Sequence, residues 1–181
     1  MVVELTRATT NSRHQALPTG AANDAMLTLV FRIGSQHYGL PVSFVIEIVR
    51  LPSLITLAGA PAAVIGLLNL RGRYVPVLDG SILIGEEPIY DLSNQIVIAG
   101  RIDEKHILPL LGLRVDQVID VRTLHLNYVT GLNDTLAAPF LQGVIKADED
   151  TVLLFDMEAL CTMVPEGTTT HSDTSQNMMR P

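Results

Sequence analysis

Apolar positions in the middle of the chain recur every second residue, the period of strands in which one face is buried. Leu27, Leu29, Phe31 and Ile33 alternate with Thr28, Val30 and Arg32, and Gly34–His37 makes a turn into a short strand at Tyr38–Pro41, so 27–41 reads as a hairpin. Val42–Arg50 is ambiguous: Val45, Ile48 and Val49 fit one helical face, while β-branching favours a strand over Val45–Val49. Leu51–Pro61 is extended and turn-rich, and Ala62–Leu68 admits one helical turn before a strand at Leu67. One helical turn is expected over Gly80–Gly85, then a loop through Ser93 and a strand at Gln95–Ala99. Gly100–Lys105 is a polar loop, and His106–Val115 returns as a strand in which Pro109 demands an edge or a bulge. Val118–Leu126 is a further strand, and 130–139 is loop. Leu141–Ala147 and Thr151–Leu154 form a hairpin around Asp148-Glu149-Asp150, and Asp156–Met163 is a short helix with Asp156 as N-cap. About ten short strands and one clear helix predict small closed barrels, not a βαβ sheet.

The most informative stretch is Gly66–Asp79. Two apolar runs (Leu67, Leu68, Leu70 and Tyr74, Val75, Val77, Leu78) are joined by Arg71-Gly72, a hairpin with a fixed cation in its turn. Arginine between hydrophobic walls costs desolvation unless it meets a carboxylate or carbonyls. Glu47 is its counterpart, an isolated anion among Val45, Ile46, Ile48 and Val49. A Glu47–Arg71 pair would satisfy both, and arginine suits bidentate geometry. The alternative is two unrelated surface charges.

Composition narrows the class. With 181 residues, 48% of them hydrophobic, the chain can bury one core or two small subdomains sharing one. Aromatics make up only 4% with no Trp, so the core is aliphatic. No apolar run reaches the roughly 18 residues of a membrane span, and no apolar leader opens the chain. The net charge is −7, and ten of the twelve basic residues are dispersed arginines. That balance argues against nucleic acid and against an anionic membrane surface. Cys161 is the single cysteine, which rules out an internal disulfide and fits a reducing cytoplasm; its apolar neighbours indicate a buried, inert thiol. The five histidines lack metal-ligand spacing, and no phosphate-binding glycine loop or ordered nucleophile–base–acid set is found. Asp79, Asp116 and Asp120 read as turn caps. Residues 1–25 and 165–181 read as disordered tails around a folded part at 26–164. A binding module is favoured over an enzyme.

Several motifs in fixed order then resemble the CheW family of chemotaxis adaptors over roughly 27–162. They are Phe31-Arg32-Ile33-Gly34, Tyr38-Gly39-Leu40-Pro41-Val42, Val45-Ile46-Glu47-Ile48-Val49, Ala60-Pro61, Gly66-Leu67-Leu68-Asn69-Leu70-Arg71-Gly72 and Pro76-Val77-Leu78-Asp79. Val115-Asp116-Gln117-Val118 with Asp120-Val121, Phe140-Leu141-Gln142-Gly143 and Leu153-Leu154-Phe155-Asp156 complete the pattern. The resemblance implies a mainly β fold of two side-by-side five-stranded Src-homology-3-like barrels around a shared core, with a short C-terminal helix. It implies no catalysis, no cofactor and no metal. The implied partners are the helical-hairpin tip of a chemoreceptor's cytoplasmic part and the regulatory domain of the histidine kinase CheA. It implies a cytoplasmic protein, monomeric in isolation and part of a receptor array, with no membrane insertion of its own. Val45, Gly66, Arg71 and Gly72 would face the receptor, with Ile96 and Val121 contributing from the second barrel, and Glu47 would pair with Arg71.

Three departures stand out. Gly80-Ser81 replaces the family's Leu-Arg after the Pro-Val-x-Asp segment, Arg114 intrudes on an apolar strand that Pro109 also interrupts, and the Asp103-Glu104-Lys105 loop is long. The resemblance places these changes in the second barrel. They leave open a divergent adaptor of a non-flagellar pathway, for twitching or surface sensing. A double-barrel enzyme or small-ligand protein using the groove between the barrels is the reading from another class.

Overall fold

The structure, a computed structural model, describes residues 25–102, 107–125, 129–130, 138–147 and 150–164. The expected tails apart from Ala25, which opens the first strand, the Asp103–Lys105 loop, most of the 130–139 loop and the tip of the last hairpin lie outside the described residues.

The alternating segments pair into two antiparallel-dominated sheets. The first contains β1 (Ala25–Ile33), β2 (Gln36–Pro41), β8 (Gln117–His125), β9 (Val129–Thr130), β10 (Leu141–Ala147) and β11 (Asp150–Phe155), in the order β8-β1-β2-β11-β10-β9. The second contains β3 (Val45–Arg50), β4 (Val64–Leu70), β5 (Arg73–Asp79), β6 (Gln95–Ile102) and β7 (Ile107–Val115), in the order β3-β6-β7-β5-β4. Chain crossovers supply one parallel pairing in each sheet, β2 with β11 and β5 with β7. The ambiguous segment resolves into one 3-10 turn at Val42–Phe44 followed by β3. Ala62 and Ala63 turn directly into β4. Pro109 sits where the β6–β7 register shifts, between Ala99 and Arg101, the bulge its missing N–H requires.

Closure of the second sheet explains Gly66. Past β3 the chain crosses to β4, where Ile55 and Leu67 exchange backbone hydrogen bonds of 2.9 and 2.8 Å. Gly66 lies beside this crossing with φ +151°, and a Cβ there would meet the Ile55 carbonyl oxygen at 2.6 Å. Only glycine lets the backbones approach so closely.

Three apolar clusters follow from strands buried on both faces. Val30, Leu124, Ile145, Val152 and Leu154 fill the first unit, and Leu68, Val75, Val77, Ile96 and Ile98 fill the second. Between the units, Leu29, Phe31, Ile33 and Leu40 meet Leu78, Val97, Leu111, Leu113 and Val115. Phe31, Tyr38 and Phe140 gather around Phe155 with ring centroids 5.9, 5.2 and 5.8 Å away, so four of the eight aromatics sit where β1, β2 and β11 converge. Two short helices complete the fold. Asp79 caps α1 (Gly80–Leu83), accepting from the N–H groups of Ser81 and Ile82, and Asp156 caps α2 (Met157–Thr162) through Glu158 and Ala159.

The placement of three features needs correcting. Gly80-Ser81 follows β5 and Arg114 lies on β7, so both belong to the unit that carries Arg71, not to the other one. Ile96, on β6, is in that same unit. Of the two residues expected from the second barrel, only Val121, on β8, lies in the other sheet.

Candidate functional site

The β4–β5 hairpin turns through two residues, both with positive φ: Arg71 at 51° and Gly72 at 84°. That is the signature of a type I′ turn, which matches strand twist and favours Asn-Gly or Gly-Gly. The Gly72 N–H donates to Asn69 Oδ1 at 2.9 Å, fixing the turn. Arg71 is the one described non-glycine residue with positive φ, a conformation that costs an ordinary L-residue roughly 1–2 kcal/mol. Its guanidinium Nη2 donates to Glu47 Oε2 at 2.9 Å, tying the hairpin to β3 across the open seam of the sheet. The predicted pair therefore forms. Its side chains are 82% and 24% exposed, however, so water screens it and it adds only about 0.2–1 kcal/mol. A strained backbone and a weak staple leave the cation's stabilising role small.

The other expected contact residues divide by burial. Gly72 and Val121 are exposed, Val121 at 50%. Val45 is half-buried against the shared core. Gly66 and Ile96 are buried: the first serves the β4 crossing and the second fills the barrel interior, so neither presents a surface to a partner. Sequence reasoning missed Ile46 and Ile48, which flank Glu47 on the outer face of β3 and are 53% and 39% exposed. β3 lies at one end of its sheet and reads apolar at four of six positions, two on each face, so residue type alone does not separate its faces.

At the opposite end of β5 two departures from the family pattern, Gly80-Ser81 and Arg114, meet. Arg114 is fully buried. It donates to Ser81 Oγ and Asn94 Oδ1 at 2.8 Å each and to the Ile89 carbonyl, and lies 3.1 Å from Asp116 and 3.6 Å from Asp79. Its Nε has no acceptor among the described residues. Gly80 leaves the room: a Cβ there would meet the Arg114 carbonyl oxygen at 2.7 Å and Ile33 at 2.5 Å. Tyr90 covers the guanidinium at 5.2 Å and donates its hydroxyl to Asp79 Oδ2 at 2.9 Å. Burial and that bond to the Asp79 carboxylate push the Tyr90 phenol up to about 12. Asp116 also accepts from the Gly34 N–H at 2.7 Å, linking this network to the β1–β2 turn of the other unit. Asp79 caps a turn, as expected, and Asp116 holds the distant β1–β2 turn; both are also counter-charges of a buried arginine. Asp120, expected as a third cap, lies within β8 and instead accepts from Arg122 Nε at 2.9 Å.

An open hollow of about 350 Å³ lies beside this network, lined by Leu51, Pro52, Leu54, Ile65 and Tyr90. Its walls are aliphatic apart from one phenol, which is not the convergent polar lining a small-ligand or enzyme site needs. Among the described residues no group of three or more His, Cys, Asp or Glu could hold a metal ion, and no helix is long and apolar enough to cross a membrane. Burial, then the charges of Glu158 and Asp156, push the Cys161 thiol up to about 11, which suppresses the reactive thiolate.

Comparison with known proteins agrees with this architecture. The CheW-like domain profile matches residues 27–164. A probable chemotaxis protein CheW of Rhizobium etli is 27% identical over 135 residues, covering 73% of this chain and 84% of that protein. The chemotaxis protein CheW of Klebsiella aerogenes is 28% identical over 135 residues, covering 73% and 79%. The crystal structure of the scaffolding protein TtCheW from Thermoanaerobacter tengcongensis superposes with a TM-score of 0.65 at 24% identity, over 73% of this chain and 89% of that one.

Proposed function

The chain belongs to the CheW-like family, and on that footing we propose that it is a non-enzymatic chemotaxis adaptor that holds a chemoreceptor's helical tip and the regulatory domain of a CheA-type kinase at the same time. The observation that carries this reading is the edge formed by the Arg71-Gly72 turn and β3. There an exposed cation, kept in a strained backbone for little stabilisation, stands beside the apolar pair Ile46 and Ile48. An amphipathic helix meets such an edge with its apolar stripe on the isoleucines and a carboxylate or carbonyl on the guanidinium. On this reading exposed Val121, on β8 of the other unit, would add an apolar contact, Val45 and Gly66 shape the strands beneath, and Ile96 supports them from the core. Holding two partners on one rigid body raises the effective concentration of each for the other, so coupling needs no chemistry from the adaptor. The folded unit is read as 26–164.

Binding of a purified receptor-tip fragment to the natural chain, Arg71→Ala and Ile48→Ser tests the site. Both variants should keep the fold and lose at least tenfold in affinity. Undiminished affinity in both would remove the edge from the receptor contact.

A further inference from the structure

We propose that the loop Glu86–Ser93 is a second, separate docking surface, built for a protein partner that offers an apolar pocket rimmed by lysine or arginine. The inference rests on the adaptor reading, in which this partner is the kinase side of the bridge.

Ile89 and Leu92 are 75% and 93% exposed and Tyr90 is 53% exposed, three large apolar side chains within four residues. Such tips normally fold back onto the surface unless something holds them out. Here the backbone is held from below. Arg114 donates to the Ile89 carbonyl and to Asn94 Oδ1, and Tyr90 is anchored on Asp79. Asp91 accepts from the Ser93 N–H at 2.6 Å, Asn94 Oδ1 accepts from the Asp91 N–H at 3.0 Å, and the Leu51 N–H donates to the Asn94 carbonyl at 3.0 Å. The exposure is thus a fixed shape, and a preformed knuckle loses less entropy on binding than a loose loop. Leu51 and Tyr90 also line the aliphatic hollow, so knob and hollow form one continuous relief.

Charge selects the occupant. Residues 86–93 carry Glu86, Glu87 and Asp91 and no lysine or arginine. A partner covering Ile89 and Leu92 must bring basic groups to these carboxylates, because acidic ones would repel. The loop itself is acidic, with exposed Arg50 beside it at the β3–β6 register, and the opposite end of β5 carries exposed Arg71 and Arg73. The Arg71 turn and the loop are separated by the seven-residue strand β5, about 20 Å of chain.

The test is calorimetric titration of the full chain with a purified kinase regulatory domain and, separately, with a receptor-tip fragment. The variants are Ile89→Ser with Leu92→Ser, and Glu87→Lys. The serine pair should weaken kinase-domain binding at least tenfold. Glu87→Lys should weaken it several-fold and flatten its salt dependence. Receptor-tip affinity should be unchanged in both. Kinase-domain affinity equal to the natural chain's in both variants overturns the proposal, as does equal loss of both partners. Glu87→Lys alters one exposed charge, so it decides the matter if the serine pair folds poorly. Failure of the natural chain to bind either partner would instead overturn the adaptor reading itself, and this inference with it.

Discussion

Replacing Arg71 with asparagine separates the two roles an arginine in this turn could have. Asparagine tolerates the left-handed backbone at Arg71 (φ 51°), and Asn-Gly is a favoured type I′ pair. The change should recover up to about 1 kcal/mol of the backbone cost. It forfeits the bond to Glu47, whose arginine partner is 82% exposed and which is worth roughly 0.2–1 kcal/mol. The two effects nearly cancel, so unfolding free energy should change by less than about 1 kcal/mol, a melting shift of about 4 °C or less for a domain of this size. Binding should behave otherwise. A charge-assisted hydrogen bond to a receptor helix contributes roughly 1.5–3 kcal/mol, so losing it weakens affinity by about one to two orders of magnitude. Calorimetric melting and titration with a receptor-tip fragment on the same preparation read both quantities. A melting temperature lowered by about 6 °C or more, with affinity falling only in proportion, would show that Arg71 is a staple of the barrel and not a receptor contact.

Removing the buried cation by Arg114→Leu strands the Asp79 and Asp116 carboxylates, so about 3–5 kcal/mol of stability should be lost. Hydrogen exchange in 86–94 should accelerate as well, and a loss under about 1 kcal/mol in denaturant melts would contradict the network. Gly66→Ala must move the Ile55 carbonyl as well as adopt φ +151°, and should cost about 2–3 kcal/mol. Gly72→Ala, with open space around its Cβ, should cost only about 1–2 kcal/mol, so urea midpoints that reverse this order would refute the closure described here. Folding raises the Tyr38 and Tyr90 phenols above 10.0, Tyr90 to about 12, so the contribution of both is complete below pH 10, and that of Tyr90 is lost as pH rises through 12. Ultraviolet titration should show a phenol near 12 that disappears in Tyr90→Phe, and ordinary midpoints for every tyrosine of the folded protein would contradict the Tyr90–Asp79 bond.

Much of the fold was legible because local signals agreed with one another. The 27–41 and 66–79 hairpins, the Asp156 cap and the bulge at Pro109 each follow from residue type and spacing, and each stands where expected. The Glu47–Arg71 pair was legible because each charge stood alone among apolar neighbours. Burial on particular faces was not legible. β3 and β6 are apolar on both faces, so their residues do not announce that Ile46 and Ile48 look outward while Ile96 fills a barrel. Arg114 looked like an intruder for a different reason. Its hydrogen-bond partners lie 20, 25 and 33 residues away, and only the parallel pairing of β5 with β7 brings them together. The exposed tips at Ile89 and Leu92 were hidden likewise, since a loop's sequence does not reveal what holds it out.

On the proposed function, one small double barrel holds two partners at once. Sedimentation of the chain mixed with a receptor-tip fragment and a kinase regulatory domain tests it most directly. The expected result is a ternary species in which the two partners sediment together only when the chain is present. Displacement of the receptor fragment by the kinase domain, leaving only binary complexes, would contradict it.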